Sequence, residues 1–416
     1  MRTVGRMRNK AIKIIALVCA AFILMSTGIY SQNTSRSQMD RADVRVVSIN
    51  LYAPHQGMDD RAPGMMKLLK SLDADSIGTQ ENYPYGDWPK VFEESFDGYK
   101  MVGQVGDKQV YPMISDPNRI YYNEERYECV EWDTLMLSAV TEAFGYGSGR
   151  SVTWAILRNR ETGHEYVHVN THLAYQSSYI AMTQMRVVAG LMQRFILDGY
   201  PVFATGDFNT SEGSASYNMI VAKDGISDSK YVAGKSMNAG TMRGDGDKDL
   251  TGRMPIDFCF VSDEHMDVSE YRVFSTYVDG VDLSDHNGLV VDASISPLSA
   301  GTALPASGDI EVTEKSSRPY VYEFEIYQPY ESAANVYCYI AELVDENGKT
   351  VDTRKLRCYL IDGEREERHP CTFAGLEEGK PYKVNIYSVT ASGLMSAPKT
   401  IEISAVRTAV RSDVQK

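Results

Sequence analysis

Positive charge is in short supply in this chain. Its 416 residues carry 42 Lys and Arg against 56 Asp and Glu, a net charge of −14. Such a balance gains little from attraction to polyanions, so a broad basic face for duplex nucleic acid is not expected. A phosphate-bearing substrate would need a bound cation to supply local positive charge. Cysteine is scarce too, six in all, and no C-x-x-C pair exists, which excludes a zinc ribbon. Beyond Cys19 the number is odd: Cys129, Cys259, Cys338, Cys358 and Cys371. One disulfide among the last three and free buried thiols both fit that count. His168 and His172 stand four apart without a Glu following the first, in a β-branched segment. On a strand, residues four apart are separated by about 13 Å, too far to share one ion. His168 is therefore read as a structural or surface histidine. Asp245, Asp247 and Asp249 alternate in a Gly-rich loop, but the downstream Glu of a calcium loop is missing.

Residues 1–31 read as an export signal. Arg2, Arg6, Arg8, Lys10 and Lys13 precede an apolar run from Ile14 to about Ile29, and small or polar residues follow, with cleavage assigned near Ser31. The run is shorter than the about 20 residues that cross a bilayer. The chain is expected to be exported, periplasmic or extracellular, with an uncleaved anchor through residues 14–29 as the alternative. Residues 32–42 form a polar lead-in.

Pro201-Val202-Phe203-Ala204-Thr205-Gly206-Asp207-Phe208-Asn209 is the stretch that orders the rest. A short apolar run ends in Gly-Asp-x-Asn, a buried strand delivering a carboxylate and a carboxamide at its tip. An Asx turn would look the same in isolation. Other short strands end alike. Val44 to Asn50 ends in Asn50, Ser76 to Glu81 in Glu81, and Glu165 to His172 in His172. Ile256 to Ser262 carries Asp257 near its start, and Asp285-His286 precede the run Gly288 to Val291. Ser178 to Asp198 is an amphipathic helix stopped by Gly199, and Pro63 to Leu72 has helical spacing. Buried charges at strand ends are costly unless paired or metal-bound, so this many point to one shared cleft. In it, Glu81, helped by Asn50 or Asp285, would hold Mg²⁺ or Mn²⁺ through oxygen. Asp207 would accept a proton from the attacking water or hold it in line. Asn209, His172 and His286 would donate to phosphoryl oxygens. Asp257 is placed to orient His172 by accepting its second ring proton.

The order N, QE, THL, GDFN, IDF, SDH over residues 43–296 resembles the endonuclease/exonuclease/phosphatase superfamily of Mg²⁺-dependent phosphoesterases. The resemblance implies an α/β fold, a four-layer αββα sandwich of the DNase-like kind. It also implies catalytic positions at Asn50, Glu81, His172, Asp207, Asn209, Asp257, Asp285 and His286, with Arg150 as a phosphate contact. The Trp-rich signature of inositol polyphosphate phosphatases and the Gly-Asp-Leu-Asn context of abasic-site endonucleases are both missing.

Residues 297–308 are a small-residue linker. Residues 309–404 change to short alternating strands at sandwich-like spacing, and residues 405–416 are a tail. Thr372 to Val389 resembles the late strands of a fibronectin type III domain, which implies a small all-β sandwich with a surface or glycan contact. Tyr320, Tyr322, Tyr327 and Tyr330 are read as a tyrosine-rich edge strand rather than a ligand platform. The function expected is an exported, divalent-cation-dependent phosphoesterase, a monomer acting on a phosphodiester or phosphomonoester. The substrate would be a small molecule, a lipid head group or nucleic acid. The alternatives are a secreted nuclease and a catalytically silent surface-binding protein.

Overall fold

A computed structural model describes residues 41–52, 58–83, 88–103, 118–137, 150–243, 254–298, 309–318, 320–358 and 368–403. The export signal, most of both linkers, the Asp245–Asp249 loop and the tail fall outside these residues.

Among the described residues, fifteen strands precede residue 296. They are β1 (Ala42–Asn50), β2 (Ser76–Gln80), β3 (Tyr99–Val102), β4 (Arg119–Asn123), β5 (Tyr127–Met136), β6 (Ser151–Asn159), β7 (Glu165–His172) and β8 (Val202–Asp207). Then come β9 (Ile226–Asp228), β10 (Lys235–Ser236), β11 (Asp257–Ser262), β12 (Met266–Phe274), the small hairpin β13 (Tyr277–Val278) and β14 (Val281–Asp282), and β15 (Gly288–Ile295). Helices α1 (Met58–Ser71), α2 (Trp88–Ser95), α3 (Ser178–Leu197), α4 (Ala215–Val221) and α5 (Ser229–Val232) interleave with them. One sheet has the order β10-β12-β15-β1-β2-β4-β3 and the other β5-β6-β7-β8-β11-β9.

The two sheets face each other, and Val44, Val46, Tyr122, Leu157, Phe203, Val261, Leu289 and Val291 fill the space between them. On the outside, α1 and α2 cover one sheet through Met65, Leu69, Trp88 and Phe92. Helix α3 covers the other through Met185, Val188, Met192 and Phe195. This is the four-layer αββα sandwich expected from the sequence. Strand period places alternate residues on opposite faces, and the inward faces change character along their length. On β1 that face runs Val44, Val46, Ser48, Asn50; on β7 it runs Tyr166, His168, Asn170, His172; on β8 it runs Phe203, Thr205, Asp207. The inter-sheet space is thus apolar at one end and polar at the other.

A buried hydrogen-bonded seam marks the change. Tyr166 Oη donates to Ser76 Oγ at 2.9 Å. The His168 ring lies 2.8 Å from Ser76 Oγ on one side and 2.8 Å from Thr205 Oγ1 on the other. Gln80 Nε2 donates to Asn170 Oδ1 at 2.7 Å, and Asn170 Nδ2 donates to the carbonyls of Thr79 and Arg119. His168 is therefore structural, and burial pushes its ring down to about 3. The sheets approach closely at Gly78, where a Cβ would collide with Thr205 Oγ1 and Asn170 Oδ1.

Beyond residue 309 the strands are β16 (Glu311–Arg318), β17 (Val321–Tyr327), β18 (Val336–Val344), β19 (Thr350–Arg357), β20 (His369–Ala374), β21 (Tyr382–Thr390) and β22 (Lys399–Ile403). They form sheets of order β16-β17-β20 and β19-β18-β21-β22 over one core that includes Phe324, Ile326, Tyr339, Leu343, Phe373, Val384 and Ile386. Strand β17 is the middle strand of its sheet, not an edge, because β16 and β20 pair on its two sides. Tyr322 is buried in the core while Tyr320 is half exposed, so the tyrosines do not make one surface. The five described cysteines are free thiols. These sheets dock on the outer face of the β6 sheet. Trp154 meets Tyr337 edge to face at 5.4 Å, and its Nε1 donates to Tyr337 Oη. Arg357 pairs bidentately with Asp133 at 2.8 and 2.9 Å, and Tyr337 Oη donates to the same carboxylate.

Two outcomes follow for stability. Gly78→Ala forces a methyl group into the seam and should cost about 1–3 kcal/mol, read as a lower Tm; an unchanged Tm contradicts the close packing. His168 is neutral in the folded chain with its ring lowered from 6.5 to about 3. The unfolded chain therefore binds the extra proton, and stability present above pH 6.5 is lost progressively as pH falls toward 3. Tm measured from pH 7 to pH 4.5 should fall more steeply for the wild type than for His168→Gln.

Candidate active site

The polar ends of the inward faces meet at one end of the sandwich. Asn50 closes β1, Glu81 follows β2, His172 closes β7, Asp207 closes β8 and Asp257 opens β11. The parallel pair β7–β8 sets His172 opposite Asp207, and the antiparallel pair β8–β11 sets Asp207 opposite Asp257. Asn50, from the other sheet, crosses the gap. Its Nδ2 donates to Asp207 Oδ2 at 3.1 Å and to Glu81 Oε1 at 3.3 Å. Its Oδ1 accepts from the Tyr52 backbone N–H at 2.9 Å.

Asp207 is the hub. His172 Nε2 lies 3.3 Å from Asp207 Oδ2, and His286 Nε2 lies 3.7 Å from the same oxygen. The Asn209 N–H donates to Asp207 Oδ1 at 2.9 Å. Asn209 Nδ2 lies 2.9 Å from His172 Nε2 and donates to the Leu173 carbonyl at 3.0 Å. In this arrangement Asn209 orients His172 instead of facing outward toward a phosphoryl oxygen.

Asp257 does not orient His172. Its Oδ2 accepts from His286 Nδ1 at 2.8 Å, because β11 lies beside β8 on the side away from β7. Burial disfavours the His286 imidazolium, but the carboxylates of Asp257, Asp207 and Asp285 outweigh it and raise His286 to about 10. His286 is thus a buried cation among carboxylates. Burial, together with the Asp207 charge, raises Asp257 against the opposing pull of His286. Burial likewise raises Asp285 to about 6, with Glu81 and Asp207 adding to the rise.

The loop bearing Asp285 and His286 is pinned by backbone bonds. Ser284 Oγ donates to the Asn50 carbonyl at 2.6 Å, and the Arg243 N–H donates to the Asp285 carbonyl at 2.7 Å. Three strand-end residues take left-handed backbone angles: Tyr52 (φ 54), Glu81 (φ 54) and Asn209 (φ 47). Asn tolerates that region; for Glu and Tyr it costs of order 1–3 kcal/mol, a strain typical of functional sites. Arg150 is buried just ahead of β6, whose Val152 pairs with Thr171 beside His172.

Residues not singled out from sequence also shape the site. Asn170 and Gln80 brace the seam beneath it, and the alternation of His168, Asn170 and His172 carried that signal. His164-Glu165-Tyr166-Val167-His168 spells H-E-x-x-H, but the segment forms strand rather than helix, and Glu165 pairs with Arg158. Exposed apolar side chains flank the cleft in sequence. Met242, 49% exposed, pairs with His286 in an isolated antiparallel bridge, which puts the two side chains on one face. Tyr175 is 70% exposed three residues after His172, and Met254 is 64% exposed three residues before Asp257.

The donor set suits a hard cation. Ligand atoms of Asp207, Asp257 and His286 lie within 4.8 Å of one another. His286 Nδ1 is engaged with Asp257, however, and a hard divalent ion prefers oxygen. Asp285 Oδ1 and Asp257 Oδ1 are buried oxygens without a hydrogen-bond partner, and their chemistry fits an oxygen-preferring cation.

Residues 47–286, more than half of the chain, match the model described as Endonuclease/Exonuclease/phosphatase family. No curated protein matches the chain significantly. Solved structures do. A Bacteroides thetaiotaomicron endonuclease/exonuclease/phosphatase family protein is 22% identical, with a TM-score of 0.53, over 62% of this chain and 99% of that one. The mannosyl-6-phosphatase of Bacteroides thetaiotaomicron VPI-5482 is 23% identical, with a TM-score of 0.53, over 60% of this chain and 99% of that one. TDP2 of D. rerio, complexed with single strand DNA product, is 16% identical with a TM-score of 0.50, over 61% of this chain and 99% of that one. At such identities they establish the fold.

Asp257→Asn should lower the titration midpoint of His286 from near 10 toward its ordinary value of 6.5, followed by ¹⁵N chemical shifts of the ring. A midpoint that stays near 10 would show that the pairing with Asp257 is not what holds the proton.

Proposed function

Because the chain belongs to the endonuclease/exonuclease/phosphatase family of phosphoester hydrolases, we propose that it hydrolyses a phosphate ester by cation-assisted attack of water. The observation that carries this is the convergence on Asp207 of Asn50 from one sheet and His172, Asn209 and His286 from three other segments. Glu81 and Asp285, with Asn50 beside them, supply the oxygen ligands for Mg²⁺ or Mn²⁺. Such a cation, when bound, neutralises phosphate charge and stabilises the charge that builds on its oxygens. Asp207 accepts the proton of the attacking water or holds it in line. His286, held protonated by Asp257, donates toward a phosphoryl oxygen, and His172 is aimed at the same position by Asn209. Arg150, buried just ahead of β6, is the phosphate-contacting cation of this proposal.

The substrate we favour is a small or lipid-linked phosphoester rather than duplex DNA. The net charge of −14, the exposed Met242 paired with His286, and the exposed Tyr175 and Met254 near site residues in sequence support this. A sugar monophosphate belongs in the same panel, since one similar structure is a mannosyl-6-phosphatase. The nuclease alternative draws on the structure complexed with single strand DNA product. The basic and apolar pattern of residues 1–31 supports export as a signal, and no helix among the described residues is long and apolar enough to cross a membrane. The strand orders β16-β17-β20 and β19-β18-β21-β22 support assigning residues 309–404 to a fibronectin type III-like module; a surface or glycan contact is the role proposed for it. The strand orders also support separating it from a catalytic part at residues 43–296; a monomer is part of the proposal.

The purified chain, assayed on bis-p-nitrophenyl phosphate and p-nitrophenyl phosphate with Mg²⁺, Mn²⁺ or EDTA, should turn over only with a cation. Asp207→Ala should lose at least about 100-fold in rate. The ratio of diester to monoester rates then directs a panel of sugar phosphates, phospholipids and plasmid. Silence on every substrate together with no divalent-ion binding would favour the surface-binding protein.

A further inference from the structure

Arg61 is a buried cation that no step above uses. It lies in the first turn of α1, only 5% exposed, on the far side of the Asn50 strand end from Asp207. Its guanidinium donates to neutral backbone oxygens at three points. Nη1 donates to the Leu51 carbonyl at 3.1 Å and the Leu283 carbonyl at 3.0 Å, and Nη2 donates to the Tyr52 carbonyl at 3.0 Å. Leu51 and Tyr52 are the two residues after Asn50. Leu283 stands two residues before Asp285 and three before His286. One planar fork therefore joins the loop that aims Asn50 to the loop that carries Asp285 and His286, segments far apart in the chain. The Ser284–Asn50 hydrogen bond ties the same two loops a second time.

The surroundings hold the fork in place. The Tyr52 ring lies 5.2 Å and the Trp88 ring 5.7 Å from the guanidinium carbon. Tyr52 reaches that position through its left-handed backbone, so the strain there and the cation contact belong to one arrangement. The charges that the guanidinium senses include the Asp285 and Glu81 carboxylates, the two groups assigned above to the cation.

We propose that Arg61 is a positioning residue for the cation site: it sets the spacing between the Asn50 loop and the Asp285-His286 loop, and so the spacing of the oxygen ligands. A Lys cannot reproduce this, because a single rotatable ammonium replaces a rigid fork of donors. The inference rests on the phosphoesterase assignment, and its test separates the two.

Mn²⁺ binding to the full chain is measured by electron paramagnetic resonance beside kcat, KM and Tm, for the wild type, Arg61→Lys and Arg61→Met. Outer-shell partners of metal ligands typically contribute 10–100-fold in affinity or activity. Arg61→Met is expected to weaken Mn²⁺ binding by about 10–100-fold and to lower kcat with KM little changed, while Arg61→Lys recovers part of both. Wild-type Mn²⁺ affinity and kcat in Arg61→Met, with or without a lower Tm, overturn the proposal and leave Arg61 a stabilising residue only. If Arg61→Met does not fold, Arg61→Lys decides: several-fold weaker Mn²⁺ binding supports the proposal and unchanged binding overturns it. A wild-type chain that neither binds Mn²⁺ nor hydrolyses any ester removes the phosphoesterase assignment instead, and this inference with it.

Discussion

The hydrogen bond from Asn50 to Asp207 spans the two sheets, and the rest of the molecule is arranged so that it can form. A carboxylate buried between sheets is costly unless several groups satisfy it. Here one donor comes from the opposite sheet at 3.1 Å and a backbone N–H from its own side, with the His172 and His286 rings 3.3 and 3.7 Å away. The sheets must close to hydrogen-bonding distance at this end while leaving room for Tyr122, Tyr166 and Phe203 at the other. Gly78 permits the closure, and the Ser76–His168–Thr205 and Gln80–Asn170 contacts fill the transition with satisfied polar groups.

The same cleft gathers more negative charge than its own residues neutralise. Asp207, Asp257, Asp285 and Glu81 share it with one imidazolium, His286, which the surrounding carboxylates keep charged against the cost of burial. Asp285 is left raised, with one oxygen lacking a hydrogen-bond partner. The divalent cation proposed above would offset the carboxylate charge and give the unpartnered oxygen a ligand. Arg61 lies behind the loops and addresses geometry through its donors to the Leu51, Tyr52 and Leu283 carbonyl oxygens.

The second sandwich is fastened to the first. Asp133 accepts from Arg357 twice and from Tyr337 once, and Arg194 on α3 donates to the Cys358 carbonyl at 3.0 Å. Tyr337, Cys338, Val389 and Ala391 join the apolar cluster beneath α3. These contacts lie on the outer face of the β6 sheet, so that face is covered by protein as well as by helix.

Much of this was legible in the sequence, and the physical reason is strand period. A two-residue alternation fixes which side chains share a face, so the run Val44, Val46, Ser48, Asn50 already describes a face that turns from apolar to polar toward its tip. The same holds for Thr205 and Asp207, and for Asn170 and His172. Element type and the strand tips follow from local pattern, while the four-layer class comes from the family resemblance that the ordered motifs carry. Neighbour relations across a sheet do not. That Asp257 serves His286 and not His172 depends on β11 lying beside β8, a pairing between segments about fifty residues apart. That Asn209 turns to His172 depends on a single left-handed residue. Arg61 was invisible because its partners are backbone oxygens, which leave no mark on residue identity. The sequence by itself determined which groups reach the cleft, through period and chain order. The tertiary structure alone decided which of them touch, because contact depends on strand order, sheet separation and loop backbone angles that no local pattern encodes.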